Sequence, residues 1–204
     1  MSEQQFLFLH VGCGIATQAN TTPYLARNMW REVRLDIDPQ TKPDIIASIV
    51  GLDSVQDESF DAVFSSHNIE HIYAHEVSIA LKSFYRVLKK GGHLVISCPD
   101  IQSVAEHVAQ GNLLQPLYTS VSGPIAAIDI LYGFRPALQD GNFAMAHRCA
   151  FTMNVLLAEL KTAGFGTAAG MRIPEQFILK AVATREKVSD EAIRELISRH
   201  FLAN

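Results

Sequence analysis

Two glycines and one aspartate near the start of the chain could bind a nucleoside. The apolar run Phe6–Val11 predicts a buried strand, and it ends at Gly12 and Gly14, which have no Cβ to block a ligand. A second apolar run carries Asp36, 22 residues after Gly14. This is close to the spacing at which dinucleotide-type folds place a carboxylate on a ribose diol. The combination predicts a nucleoside cofactor, whereas the glycines alone would fit many tight turns.

A second group, His67-Asn-Ile-Glu-His71, has the spacing of a zinc-peptidase signature, H-x-x-E-H. On a helix, both histidines would share a face and could bind zinc while Glu70 activates water. The context disagrees, because His67 directly follows an apolar strand predicted at 62–66. We therefore expect no metal site. Two roles stay open for Glu70 and His71: bracing and capping the next helix, or handling a substrate.

Size and composition indicate one domain. A chain of 204 residues buries roughly 70% of its unfolded surface. The net charge of −4 and the scattered Lys and Arg residues disfavour a nucleic-acid partner. Cys13, Cys98 and Cys149 include no CxxC pair, so neither a disulfide framework nor a zinc knuckle is indicated. Neither an apolar stretch of about 18 residues nor a signal pattern is present, so we expect no membrane partner and a cytoplasmic location.

Strands and helices alternate along the chain. Strands are predicted at 6–11, 33–37, 62–65, 93–97 and 177–183, and a short apolar run at 43–49 lies between the strands at 33–37 and 62–65. Helices are predicted from Pro23, over 76–88, over 151–163 and from Ser189 to about residue 201. Strands this apolar are buried on both faces, which predicts a parallel sheet covered by helices.

The segment 111–147 interrupts this alternation. It contains several prolines and glycines, with apolar residues between them. A polar linker would not be so apolar, so the composition predicts a lid-like insertion that packs over the rest of a single domain, 1–204. The same composition also fits a homodimer surface.

Five motifs in this order resemble the class I S-adenosylmethionine-dependent methyltransferases, type 11 group. The motifs are His10-Val-Gly-Cys-Gly14, Arg34-Leu-Asp-Ile-Asp38, Ser59-Phe-Asp-Ala-Val-Phe64, Glu70-His71 and Arg86-Val-Leu-Lys-Lys-Gly-Gly92. The resemblance implies an α/β, Rossmann-like, doubly wound sheet of seven strands, mostly parallel with an antiparallel last strand and helices on both faces. It also implies that S-adenosylmethionine lies across the carboxyl ends of strands one to four.

The resemblance further implies a role for each matching position. Asp36 would accept hydrogen bonds from both ribose hydroxyls, which suits an ionised carboxylate on a short stem. Ser65 and Ser66 would line the sulfonium and acceptor side. The full set assigned to the cofactor is His10, Gly12, Cys13, Gly14, Asp36, Ile37, Ser48, Ile49, Ser65, Ser66 and His67.

The chain departs from the family pattern at three positions. His10 stands where an acidic residue usually holds the cofactor's amino group, and Ser48 stands where an aspartate often accepts from adenine. Ala16 lies near the place of the third glycine. Each lost hydrogen bond is expected to weaken binding by about 1 kcal/mol. We expect binding to be retained, and a degenerate cofactor-binding or interaction protein without catalysis stays as an alternative.

The expected reaction is methyl transfer to a small molecule at an oxygen atom. A sulfonium is already activated, so placement of the acceptor supplies much of the rate, and a hydroxyl acceptor also needs a base. Histidine suits this task, and His67 is the first candidate and His147 the second, although His147 also fits a hinge residue bonded to backbone. The candidate substrate-binding residues are Tyr132, Arg135 and Arg148.

A nucleotide-dependent oxidoreductase would use the same glycines and Asp36. It fits less well, because the later glycine is missing and the helix before the last strand resembles that of methyltransferases.

Overall fold

The computed structural model describes residues 5–202, which contain nine strands and six helices. The strands are β1 (Phe6–Val11), β2 (Trp30–Asp36), β3 (Ile45–Ile46), β4 (Phe60–Ser66), β5 (Leu88–Pro99), β6 (Pro116–Ser120), β7 (Gly123–Ala126), β8 (Thr167–Ile173) and β9 (Ile178–Thr184). The helices are α1 (Ala74–Val87), α2 (Ile101–Ala109), α3 (Ala127–Tyr132), α4 (Arg135–Gln139), α5 (Met153–Ala163) and α6 (Asp190–Ile197).

Within the described residues, seven strands form one sheet in the order β3-β2-β1-β4-β5-β9-β8. Strands β1 to β5 run parallel, and β9 is antiparallel to both of its neighbours. This confirms the predicted Rossmann-like sheet with an antiparallel last strand. The strand order reverses between β1 and β4, and such a switch point opens a crevice at the carboxyl ends of the strands.

Alternating side chains of the central strands build two hydrophobic clusters. Leu9, Val63 and Leu94 face the cluster that α1 and α5 cover. On the opposite side Phe8, Phe64 and their neighbours pack with Trp30 from the start of β2 and with Phe201 after α6. Neighbouring residues of a strand point to opposite faces, so both sides of these strands are buried.

The helix predicted from Pro23 is wrong. The chain makes only turns between β1 and β2, apart from a short 3-10 turn at Gln18–Asn20. The side-chain amide of Gln18 donates to the carbonyls of Leu25 (2.8 Å), Arg27 (3.1 Å) and Trp30 (3.0 Å). These carbonyls are therefore satisfied outside a helix. Because Trp30 already pairs with Phe6, only the seven residues 23–29 remain for a helix, which is less than two helical turns.

Other predicted elements agree with the structure within a few residues. The helix predicted over 76–88 is α1, and the helix predicted over 151–163 is α5, which ends at Gly164 in a left-handed conformation (φ 109°). Ser189 caps α6 as predicted, accepting from the amide of Ala192 at 3.2 Å. Strand β8 was not predicted, since its first four residues are small and the whole strand is half-buried. Among the helices of residues 5–202, none combines the length and apolarity that crossing a bilayer requires.

The segment 111–147 contains the hairpin β6–β7 and the helices α3 and α4. Its apolar residues pack on α2 and on Phe177, around the buried side chains of Val104, Ala127 and Ile130. This small third cluster explains the apolar composition of the segment.

Two buried histidines connect the second hydrophobic cluster to the end of the chain. His93 Nε2 lies 2.9 Å from His200 Nε2, and His200 Nδ1 lies 2.8 Å from the hydroxyl of Thr22. Burial and the charge of Arg199 lower the pKa of His93 to about 4. Burial, His93 and Arg199 lower the pKa of His200 to about 3. Both rings are therefore neutral in the folded protein at neutral pH.

This pair should make the protein sensitive to acid. Both folded-state pKa values lie below the ordinary 6.5, so the unfolded chain binds more protons, and the stability is present above about pH 6.5 and is lost toward pH 4 and below. We expect the free energy of unfolding to fall by about 3 kcal/mol from pH 7 to pH 4 through each of these two groups, or about 6 kcal/mol in total. Urea unfolding at each pH measures it.

The double variant His93→Leu/His200→Leu should lose this slope whatever its stability at pH 7. The exposed His75→Asn variant should keep it. An unchanged slope in the double variant would show that other groups cause the acid sensitivity.

Candidate functional site

Three charged residues of β2 hold the loop that follows β1. Glu32, Arg34 and Asp36 alternate along the strand and so share one face. Glu32 accepts from Nδ1 of His10 (2.6 Å) and from the amide of Gln18 (2.7 Å). These contacts fix both ends of the loop from residue 10 to residue 18.

Arg34 binds the middle of the same loop. Its guanidinium donates to the carbonyls of Gly14 (2.6 Å) and Ala16 (3.1 Å), and also to that of Lys42 (3.1 Å) in the turn after β2. Neither Glu32 nor Arg34 was predicted as a site residue. Their alternation with Asp36 is the sequence signal that could have found them.

Asp36 lies where the spacing predicted it. Its Oδ2 accepts from the amide of Gly14 (2.7 Å), and its Oδ1 accepts from the amide of Asp38 (2.9 Å). Each carboxylate oxygen has a second lone pair. Asp36 can therefore hold the loop and still accept hydrogen bonds from a ligand.

The two glycines have different surroundings. Both have a positive φ, 62° for Gly12 and 52° for Gly14, which suits glycine. A Cβ at Gly12 would clash with the side chain of Asn68, whereas a Cβ at Gly14 would meet nothing within 4 Å. The backbone at Gly14 is thus open to a ligand. Cys13 between them is buried, and burial raises the pKa of its thiol, so it is a packing residue.

Exposed apolar side chains flank this open backbone. Ile15 is 91% exposed and Ile37 is 62% exposed, unusual values for isoleucine. Ser48 is half-buried and accepts from the amide of Val50 at 3.1 Å, and Ile49 is part of the hydrophobic core. Ile37 and Ile15 suit the flat face of a base, while Ile49 lies deeper than its predicted place at an adenine edge requires.

The end of β4 presents polar groups to the same crevice. The hydroxyl of Ser65 and the amide nitrogen of Asn68 are buried and have no hydrogen-bond partner among the described residues. The Ser66 hydroxyl accepts from that of Ser97 at 2.8 Å. His67 is exposed and adopts φ 48°, a strained backbone conformation that occurs at functional sites. Asn68 was not predicted; only its position after β4 could have indicated it.

His67 and His147, the two predicted bases, come together around Glu70. The five residues from His67 to His71 span a strand end and a 3-10 turn, so they do not form the helical peptidase motif. His67 Nδ1 is 3.5 Å from Glu70 Oε1. The rings of His71 and His147 lie 4.8 Å apart. Glu70 does not cap α1, because Glu76 does so by accepting from the amide of Tyr73 at 2.8 Å.

The environment of Glu70 is buried and polar. Its side chain is 2% exposed, and burial raises the pKa of its carboxyl, but the imidazoles of His67 and His71 outweigh burial and bring the pKa below its ordinary value. Burial lowers the pKa of His147. Burial and the charge of Glu70 raise the pKa of the Cys149 thiol to about 12, so this thiol is not a nucleophile.

The predicted substrate-binding residues have different surroundings. Tyr132 is exposed on the 111–147 segment. Arg135 forms a two-pronged ion pair with buried Asp129, at 2.7 Å and 3.1 Å. Arg148 donates to the carbonyl of His71 at 2.8 Å and lies over the ring of Tyr73. Both guanidinium groups thus hold the segment in place, and contact with a substrate stays a prediction for all three.

A cavity of about 310 Å³ lies at the opposite edge of the sheet, near Trp30, Asp61 and His93. Trp30 and Asp61 stand at the amino ends of β2 and β4. Ligands of open α/β sheets bind at the carboxyl ends. The crevice at Gly14 is therefore the better candidate site.

Comparison with known proteins identifies a methyltransferase domain and its fold. Residues 9–96 match the family model of a methyltransferase domain. Among solved structures, the chain resembles 1,6-didemethyltoxoflavin-N1-methyltransferase from Burkholderia thailandensis, solved with 1,6-didemethyltoxoflavin and S-adenosylhomocysteine bound (16% identity, TM-score 0.57, 90% of this chain and 72% of that chain). It also resembles S-adenosylmethionine-dependent methyltransferases from Methanosarcina mazei (15%, 0.57, 90% and 94%) and Thermotoga maritima (15%, 0.54, 89% and 83%). At these identities the likeness shows the fold. No curated protein sequence matches the chain.

Replacing the carboxylate of β2 tests the nucleoside site. In Asp36→Ala, the loop loses its bond to the Gly14 amide and the ligand loses a charged acceptor. We expect the Kd for S-adenosylhomocysteine, measured by isothermal titration, to rise about 30-fold or more, which corresponds to about 2 kcal/mol. Asp38→Ala, an exposed carboxylate at the same strand end, should change the Kd less than about twofold. Equal effects of the two variants would contradict the assignment.

Proposed function

We propose that the chain is a class I S-adenosylmethionine-dependent methyltransferase and that it methylates an oxygen atom of a small molecule. The observation that carries the proposal is the exposed His67 at the end of β4, with the carboxylate of Glu70 beside it. A base at this position is needed for a hydroxyl acceptor and is not needed for a neutral amine, whose lone pair attacks directly.

The residues of the crevice fit the cofactor. The open backbone at Gly14, the carboxylate of Asp36 and the apolar side chain of Ile37 suit the ribose and the base. The unpartnered donors of Ser65 and Asn68 suit the carboxylate of the methionine part. When bound, S-adenosylmethionine supplies a methyl group on a positively charged sulfur.

The departure at His10 has a counterpart in the next strand. His10 is 3% exposed and binds the carboxylate of Glu32 at 2.6 Å. A negative charge is therefore present beside position 10, although it comes from β2. This pairing supports retention of the cofactor site and weighs against a degenerate binding protein.

In the proposed reaction His67 accepts the proton of the acceptor hydroxyl. The oxygen–methyl bond forms as the sulfur–methyl bond breaks, and the sulfur keeps the bonding electron pair as a neutral thioether. The carboxylate of Glu70, 3.5 Å from His67 Nδ1, stabilises the imidazolium that results. Most of the rate then comes from holding the acceptor in line with the methyl group.

The surface supports a small acceptor rather than a nucleic acid. The end of the 111–147 segment lies beside the crevice, because the amide of the next residue, Arg148, donates to the carbonyl of Glu70 at 2.8 Å. The net charge of −4 gives no attraction to a polyanion. We propose that this segment, including Tyr132, selects the acceptor, and that the protein acts in the cytoplasm.

The acceptor class can be tested with a labelled methyl donor. Purified protein and donor are incubated with matched panels of phenols, alcohols, carboxylic acids, amines and thiols, and products are identified by mass spectrometry. Transfer to oxygen in one or more small molecules is expected. Products that carry the methyl group only on nitrogen or sulfur would overturn the proposed acceptor atom, and methylation only of protein or RNA would overturn the small-molecule class.

Loss of the proposed base should reduce turnover and leave the cofactor affinity unchanged. With an oxygen acceptor, His67→Gln is expected to lower kcat by about 100-fold or more while the Kd for S-adenosylhomocysteine stays within about twofold. His75→Gln, an exposed histidine eight residues along the chain, should retain wild-type kcat. A His67→Gln enzyme with normal kcat would exclude His67 as the base.

A further inference from the structure

We propose that Glu70, His71 and His147 bind one divalent transition-metal ion, with zinc as the best match. One ligand atom from each side chain lies within 4.8 Å of the other two. The set differs from the H-x-x-E-H pattern of the sequence, because His67 is replaced by His147 from the end of the 111–147 segment. It also departs from the expectation of no metal.

The carboxylate of Glu70 is the first observation that points to a cation. The side chain is 2% exposed, and both oxygens are buried without a hydrogen-bond partner among the described residues. His67 Nδ1 lies 3.5 Å from Oε1, which is too distant for a good hydrogen bond. A buried carboxylate without partners is costly unless a cation or hydrogen-bond donors satisfy it.

The two histidines give a second, independent observation. His147 Nδ1 lies 2.6 Å from the carbonyl of Ile130, and His71 Nδ1 lies 3.2 Å from the carbonyl of Ala146. A carbonyl can only accept, so both Nδ1 atoms carry the hydrogen. In a neutral ring, Nε2 then keeps a free lone pair. Backbone acceptors of this kind orient metal-binding histidines in known sites.

The donor set suits zinc with an open position. Two imidazole nitrogens and one carboxylate oxygen are the ligands of several catalytic zinc sites, in which water or substrate takes the fourth place. Ligand atoms around tetrahedral zinc are roughly 3.3 Å apart, so binding would draw the three side chains together by about 1 Å. Their positions on a 3-10 turn and on a connecting segment allow this movement.

The location gives the ion a use. The 3-10 turn of Glu70 directly follows the end of β4, and the amides of Arg148 and Cys149 donate to the Glu70 carbonyl. The ion would lie on the acceptor side, where it could bind an acceptor oxygen and lower the pKa of its hydroxyl. This use rests on the proposed function, whereas metal binding itself does not.

Metal binding is tested on the full chain after removal of bound metal with a chelator. Zn²⁺ is titrated calorimetrically, and Co²⁺ is titrated by visible absorption, which reports the number and geometry of its ligands. We expect one ion per chain with a Kd on the order of 1 μM or tighter, and a Co²⁺ spectrum of a four- or five-coordinate site. Six-coordinate Co²⁺ spectra, or wild-type binding no stronger than that of the three site variants below, would overturn the proposal.

Three variants locate the site. Glu70→Gln keeps the size of the side chain, His71→Ala and His147→Ala each remove one imidazole, and each is expected to weaken binding by about 100-fold or more. His75→Ala removes an exposed histidine outside the cluster and should bind like wild type. Circular dichroism of the metal-free proteins checks that each variant folds. If an alanine variant does not fold, Glu70→Gln and the Co²⁺ spectrum of the wild type still decide the outcome.

The two proposals can fail separately. One ion bound at this cluster, with products methylated only on nitrogen, would sustain the metal site and overturn the oxygen acceptor. Oxygen methylation by a protein that binds no Zn²⁺ or Co²⁺ would do the reverse. Wild-type affinity in Glu70→Gln or in both histidine variants would show that any bound ion lies elsewhere.

Discussion

The binding of one loop by the polar face of β2 is the constraint on which the cofactor side of the molecule depends. A loop with two glycines at positive φ has little intrinsic preference for one shape. Glu32, Arg34 and Asp36 supply charged partners for its backbone, and hydrogen bonds to charged groups contribute about 1.5–3 kcal/mol each. Gln18 also holds the backbone through a side chain, since its side-chain amide donates to the carbonyls of Leu25 and Trp30 in the turns before β2. The crevice is thus fixed by side chains of a strand, without a helix after β1.

Elements with strong apolar patterns could be predicted from the sequence, and elements built on side-chain contacts could not. Strands β1 and β4 and helices α1 and α5 follow from their periodicity and end signals. The helix from Pro23 was wrong because a glutamine in the preceding turn competes for its carbonyls, and no local signal reports this. Strand β8 begins with four small residues and is half-buried at the sheet edge, so it has no strong apolar pattern, and its pairing with β9 depends on tertiary structure.

The same division holds within the candidate site. Asp36 could be predicted because its distance from Gly14 along the chain reflects one turn and one strand. The partnership of Glu32 with His10 needs the register of β1 and β2, which the sequence does not state. His147 approaches His71 only because the chain returns from the 111–147 segment to the end of β4. Its function was proposed from its residue type, while its neighbours required the fold.

The two carboxylates of the site, Asp36 and Glu70, differ in how their oxygens are hydrogen-bonded. Each oxygen of Asp36 already accepts a backbone hydrogen bond, so this group is held in place and can bind a ligand with little rearrangement. Glu70 is more deeply buried, and among residues 5–202 neither of its oxygens has a hydrogen-bond partner. Asp36 is therefore preformed to bind a ligand, whereas Glu70 needs a cation or a proton donor to satisfy its charge. The predicted nucleoside side is therefore held by hydrogen bonds of the chain itself, whereas the predicted acceptor side contains a carboxylate that a further ligand could satisfy.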